Sequence, residues 1–195
     1  MRRPQGQGAV RGDGPAQRAP ESENDHEHLL ARGARALDTP AQAAGDPPGR
    51  VGRLSQIDGD VTFRVDRQDP GGPAAINWPI SSGAIIDTER RSRAEVWIGS
   101  TAYRLAGNSR AEFVTVNDQI VDLLLASGTL AVTIRDRNQA DDLQISTPGG
   151  RVRFPGPGRY RIEVRPDRTT VAAQSGSAEG LTDEQPVVVR PGEKA

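Results

Sequence analysis

The run Arg159-Tyr160-Arg161-Ile162-Glu163-Val164-Arg165 alternates charged and apolar residues without a break. Successive side chains of a β-strand point to opposite faces, so Tyr160, Ile162 and Val164 share one face and the charges take the other. The run reads as a half-buried strand. The same two-residue period recurs in Ala94, Val96 and Ile98, in Val121, Leu123 and Leu125, in Leu130, Val132 and Ile134, and in Val152 and Phe154. No run sustains the 3.6-residue period of a helix. Turn residues separate these strands at Gly99-Ser100, Gly107-Asn108, Asn117-Asp118, Ser127-Gly128, Pro148-Gly149-Gly150, Pro155-Gly156-Pro157-Gly158, Pro166-Asp167 and Ser175-Gly176. Short strands at intervals of about eight to twelve residues predict an all-β domain, an antiparallel sandwich or roll or a solenoid-like variant. We expect about ten to thirteen strands between Gly52 and Val189. The expected core is Leu54, Ile57, Val61, Phe63, Ile85, Val96, Ile98, Leu105, Leu123, Leu125, Val132, Ile134, Val152, Phe154, Ile162, Val164 and Val171.

Upstream the character of the chain changes. Residues 1–49 contain no Phe, Tyr or Trp and hold six prolines, among them Pro47 and Pro48. Such a segment cannot bury enough apolar surface to offset its ordering entropy, so it is expected to be a disordered tail ahead of a β domain over 50–190. No apolar stretch suited to an export signal is readable in it, and a misassigned start codon, with the tail not part of the mature protein, is one reading of that.

Composition removes several kinds of chemistry. The 195-residue chain has no Cys and only two His, so thiol nucleophiles, disulfides and thiolate metal sites are excluded. Both histidines, His26 and His28, fall in the tail, where a His-x-His pair is expected to be solvated rather than a metal site. No Gly-rich phosphate loop stands between a strand and a helix. No catalytic residue, metal ligand or cofactor site is therefore assigned. No stretch is long and apolar enough to span a membrane as a helix. Carboxylate chemistry survives the inventory, with Asp58 and Asp60, or Asp141 and Asp142, as pairs for a small glycoside hydrolase. Both pairs sit beside turn signals, where Asp commonly bonds the local backbone.

Lys194 is the sole lysine among 25 basic residues, against 26 acids. Arginine grips phosphate and carboxylate with a planar fork, but a nucleic-acid footprint needs clustered positive charge and the net charge is −1. Nucleic acid is not expected as a partner, and codon bias accounts for the preference for Arg. If Pro155-Gly156-Pro157-Gly158 closes a hairpin, Arg151, Arg153, Arg159 and Arg161 share its outer face. They then form either a solvated ladder or a site for an anionic glycan. Trp97, among charged neighbours on the polar side of its strand, is a candidate exposed contact.

The run Ser82-Gly83-Ala84-Ile85-Ile86-Asp87-Thr88, then Ser92-Arg93-Ala94-Glu95-Val96-Trp97-Ile98-Gly99-Ser100, then Leu105-Ala106-Gly107-Asn108-Ser109, resembles the core signature of the FecR domain. The later stretches Ala126-Ser127-Gly128-Thr129-Leu130, Ile145-Ser146-Thr147-Pro148 and Gly158 to Val164 follow in the same order, and the resemblance covers about residues 47–181. It implies an all-β domain in the periplasm of a Gram-negative bacterium. In the regulator branch of that family, protein contacts carry a signal from an outer-membrane receptor to a sigma factor. This chain shows no sigma-binding helical region, so that role is not carried over, and the family offers no catalytic residues. The leading expectation is a non-catalytic protein-interaction module of the cell envelope, active in signalling or envelope organisation. It would engage a protein partner through sheet edges, loop corners or Trp97. Cell-wall glycan binding through the four arginines is the alternative, and hydrolysis comes third.

Overall fold

One long strand, β9 (Val121–Ile134), organises the fold by belonging to two sheets. A computed structural model describes residues 49–182 and 185–195, which form fifteen strands and one short helix. The tail with His26 and His28 lies outside the described residues. Sheet A runs, from edge to edge, through β4 (Pro79–Ile80), β1 (Gly52–Asp58), β6 (Arg93–Ile98), β7 (Thr101–Leu105), the second half of β9, β12 (Gly158–Arg165) and β13 (Arg168–Ser175). Sheet B runs through β3 (Gly72–Pro73), β2 (Val61–Arg64), β5 (Ile85–Thr88), β8 (Ser109–Val116), the first half of β9, β10 (Leu143–Thr147), β11 (Gly150–Arg153), β14 (Ala178–Leu181) and β15 (Pro186–Val189). All pairings are antiparallel except β9 with β10, which follows a crossover through α1 (Arg137–Asp141). The all-β expectation holds. The two strands beyond the expected number are accounted for by β3 and β4, each two residues long and too short to show a period.

β9 changes sheets at Gly128. Its residues up to Ser127 pair with β8, and those from Gly128 onward with β7 and β12. Gly128 has φ +88°, and a Cβ there would come within 2.4 Å of the Ser109 Cα and 2.5 Å of the Asn108 carbonyl oxygen. Only glycine fits both the dihedral and the space.

The inward faces of both sheets make one apolar core. Every residue of the expected core is buried except Ile57, which packs half-buried at its margin. Two aromatics outside that expectation join the layers, Tyr103 of sheet A meeting Phe113 of sheet B edge-on with ring centroids 5.8 Å apart. Burial pushes the Tyr103 phenol far above its ordinary pKa.

The residues that carry the family resemblance turn out to stitch strands together. Buried Thr88 donates its hydroxyl to the Ala106 carbonyl (2.6 Å) and accepts the Ser109 amide (3.0 Å). The Ser109 hydroxyl in turn accepts the Thr129 amide (2.9 Å) and donates to the Thr129 carbonyl (3.2 Å). Ser92, also buried, accepts the Asp60 amide at 2.9 Å. These short hydroxyls satisfy backbone groups between neighbouring strands and turns, which is a structural role.

Two sequence expectations are corrected. Residues 155–158 do not close a hairpin, because β11 pairs with β10 and β14 while β12 pairs with β9 and β13. The segment instead carries the chain from sheet B to sheet A, pinned by the Tyr160 hydroxyl donating to the Gly156 carbonyl (3.0 Å) and by Phe154 packing on Tyr160. Nor are the edges of sheet A fully open. On β13, residues 192–195 form a short ladder, including Val171 N–H to the Ala195 oxygen (2.7 Å) and Ala195 N–H to the Val171 oxygen (2.9 Å). On β1, β4 and the bonds between Leu54 and residues 77–78 cover the outer edge as far as Leu54. Sheet B ends in the two-residue β3 and in β15, which opens with Pro186. Short, Pro-bearing edges discourage strand addition.

Candidate functional site

The outer face of sheet A carries a trough along β9. There Ala131 and Thr133 point outward with short side chains, and register sets long ones beside them. Arg104 of β7 and Arg161 of β12 both stand opposite Ala131, and Arg159 stands opposite Thr133. The two walls are two strand spacings apart, about 9.5 Å between backbones. The resulting trough, about 370 Å³, is lined by Arg104, Arg135, Arg159 and Arg161 above the Ala131–Thr133 floor, with Gln174 at its rim.

Glu95 supports one wall. Its carboxylate accepts from the Trp97 indole N–H (2.5 Å) and the Ser55 hydroxyl (3.0 Å) and pairs with Arg104 at 2.6 Å. Burial alone would raise this carboxyl, but the hydrogen bonds from Trp97 and Ser55 and the Arg104 charge outweigh it and hold the pKa below the ordinary glutamate value. Arg104 also donates to the Thr133 hydroxyl (3.2 Å), so its guanidinium is fixed at the trough wall. Arg135 lies over the Trp97 ring, 4.9 Å from its centroid, a cation–π contact. Trp97 is therefore half-buried beneath an arginine and is not the free contact expected of it.

Arg135, Arg159 and Arg161 are exposed and have no acidic partner among the described residues. Glu163, two positions beyond Arg161, is held by Arg165 at 2.7 Å, and that bond, helped by the nearby Arg161 and Arg168 charges, keeps its carboxyl below the ordinary range. Three guanidiniums without an ion-pair partner among the described residues make the trough locally positive.

The other arginine pair is elsewhere. Arg151 and Arg153 are exposed on β11 of sheet B, with Arg153 opposite Glu179, so the four expected arginines do not make one ladder. Arg153 borders a shallow cleft of about 400 Å³ that also contains Asp141, Asp142 and Phe154. Asp142 there is paired with Arg50 at 3.1 Å and forms the C-cap of α1, while Asp58 and Asp60 flank the Gly59 turn after β1. Each acid pair thus serves a turn or a helix end. Among the described residues no group of three or more His, Cys, Asp or Glu is placed to hold a metal, and no helix is long and apolar enough to cross a membrane. Sequence reasoning named Arg159 and Arg161 but missed Arg104 and Arg135. The available signal was the outward position of Arg104 in Thr101-Ala102-Tyr103-Arg104-Leu105.

No family model and no curated protein matches the chain. Two crystal structures of a candidate anti-sigma factor from Parabacteroides distasonis ATCC 8503 are similar to it, at 16% and 15% identity and a TM-score of 0.49 each. Each match covers 56% of this chain and 52% of the other, so the likeness spans about half the length of that protein.

Proposed function

We propose that this chain is a non-catalytic protein-interaction module of the bacterial envelope, working in the periplasm, and that it receives its partner on the outer face of sheet A. The observation that carries the reading is the arginine trough, three of whose four guanidiniums lack an acid among the described residues. The partial covering of the edges of sheet A supports a face over an edge as the contact. The resemblance of residues 47–181 to FecR domains supports an envelope protein that acts by contact rather than by chemistry. In-cell crosslinking followed by capture from envelope fractions tests it. The wild-type chain is expected to retain a partner that the double variant Arg159→Glu with Arg161→Glu loses. Equal capture by both, or fractionation of the native protein with the cytosol, overturns the proposal.

A further inference from the structure

We infer that the trough binds an extended peptide segment whose acidic side chains occupy alternate positions. This rests on the reading just given and adds the chemistry of the partner. Charge supplies the first argument. Arg159, Arg161 and Arg135 have no acid among the described residues, and the acid nearest the other wall, Glu95, is already shared among Arg104, Trp97 and Ser55. A ligand must therefore bring its own anions.

Spacing supplies the second. Arg159 and Arg161 are two residues apart on one strand, so their Cα atoms repeat at about 6.6–6.8 Å. A peptide in the same extended conformation carries its alternate side chains at that repeat and presents one carboxylate to each guanidinium. Acids placed next to one another in sequence would point to opposite sides, and half of them would face away from the wall.

Width and surface chemistry supply the third. A gap of about 9.5 Å between the Arg104 and Arg161 backbone positions suits a single extended chain laid along β9. The floor of Ala131 and Thr133 lets such a chain lie flat on the sheet. Sugar rings and nucleic-acid bases want an open aromatic face to stack on, and the Trp97 ring carries Arg135 instead.

The test uses the whole chain and two synthetic heptapeptides of equal composition, four Glu and three Thr, one with the acids alternating and one with them in two adjacent pairs separated by two Thr, so that no two of its acids stand two residues apart. Binding is read by fluorescence anisotropy at several salt concentrations. The alternating peptide is expected to bind about tenfold more tightly than the paired one, with affinity falling as salt rises. Arg159→Gln with Arg161→Gln is expected to cost about tenfold or more in affinity, and Arg151→Gln with Arg153→Gln on sheet B less than about twofold. Circular dichroism melts of both double variants check that each remains folded. Equal binding of the two peptides, equal losses in the two double variants, or binding of a uronic-acid polysaccharide in place of either peptide overturns the inference. If no peptide binds while partner capture still depends on Arg159 and Arg161, the inference falls and the broader proposal stands. If capture is indifferent as well, both fall.

Discussion

On the outer face of sheet B, Arg64 and Arg110 close on the two carboxylate oxygens of Asp87, and Arg67 grips Glu112 through both Nε (3.0 Å) and a terminal nitrogen (3.0 Å). On the outer face of sheet A, the one acid at the trough wall is spent on holding Arg104 and Trp97 in place, and Arg135, Arg159 and Arg161 face solvent. The residue types are the same on both faces and the pairing is not. A chain with a net charge of −1 can thus carry a locally positive surface, because strand register decides which charges meet.

Three perturbations break or sharpen that contrast. The most damaging is Gly128→Val. Since β9 serves both sheets and a Cβ at this position meets backbone, both faces should lose support together, at a cost on the order of 3 kcal/mol. Urea melts in a Trp78→Phe background, followed separately by Trp97 fluorescence and by far-ultraviolet dichroism, should shift by the same amount. A shift in one signal alone would show that the sheets unfold independently.

Glu95→Gln acts on sheet A alone. Its effect should be about 1–2 kcal/mol at neutral pH, since charge-assisted hydrogen bonds to Trp97, Ser55 and Arg104 weaken together. The sign with pH follows from its lowered pKa. Ionised Glu95 stabilises the fold fully above the ordinary glutamate pKa, and that contribution is lost as pH falls through the lower folded value. The gap between wild type and variant, measured by denaturant melts at about pH 7 and about pH 3, should therefore narrow on acidification. A constant gap would mean that Glu95 acts by packing rather than by charge.

Arg67→Ala tests the sheet B face. Arg67 itself is largely exposed in its pair with Glu112, so stability should change by about 1 kcal/mol or less, measured by thermal melts. Binding at the trough should not change measurably, since the removed charge already had its acid.

The sheet structure was largely readable from residue order, for a physical reason. A strand buried on one face needs alternation, and 159–165 supplies it without exception, as do the apolar positions of β6 and both halves of β9. Gly128 was visible as a turn signal but reads as an ordinary loop glycine. Its actual role, moving one strand between two layers, depends on Ser109, distant in sequence and adjacent in space. The trough was half visible. Arg159 and Arg161 announce an outer face by their own alternation, but their partners across the sheet are chosen by long-range pairing. Proximity along the chain suggested Arg151 and Arg153, while topology delivered Arg104 and Arg135. Local pattern reports which way a side chain points. It does not report what stands beside it.

The double membership of β9 has a mechanical consequence. Two layers held only by greasy contact can slip past each other like cards, but here a single covalent ribbon is woven into both, so shear between them must first break the hydrogen bonds along that ribbon. A tug delivered at the trough by a bound partner would thus be borne by the whole double layer.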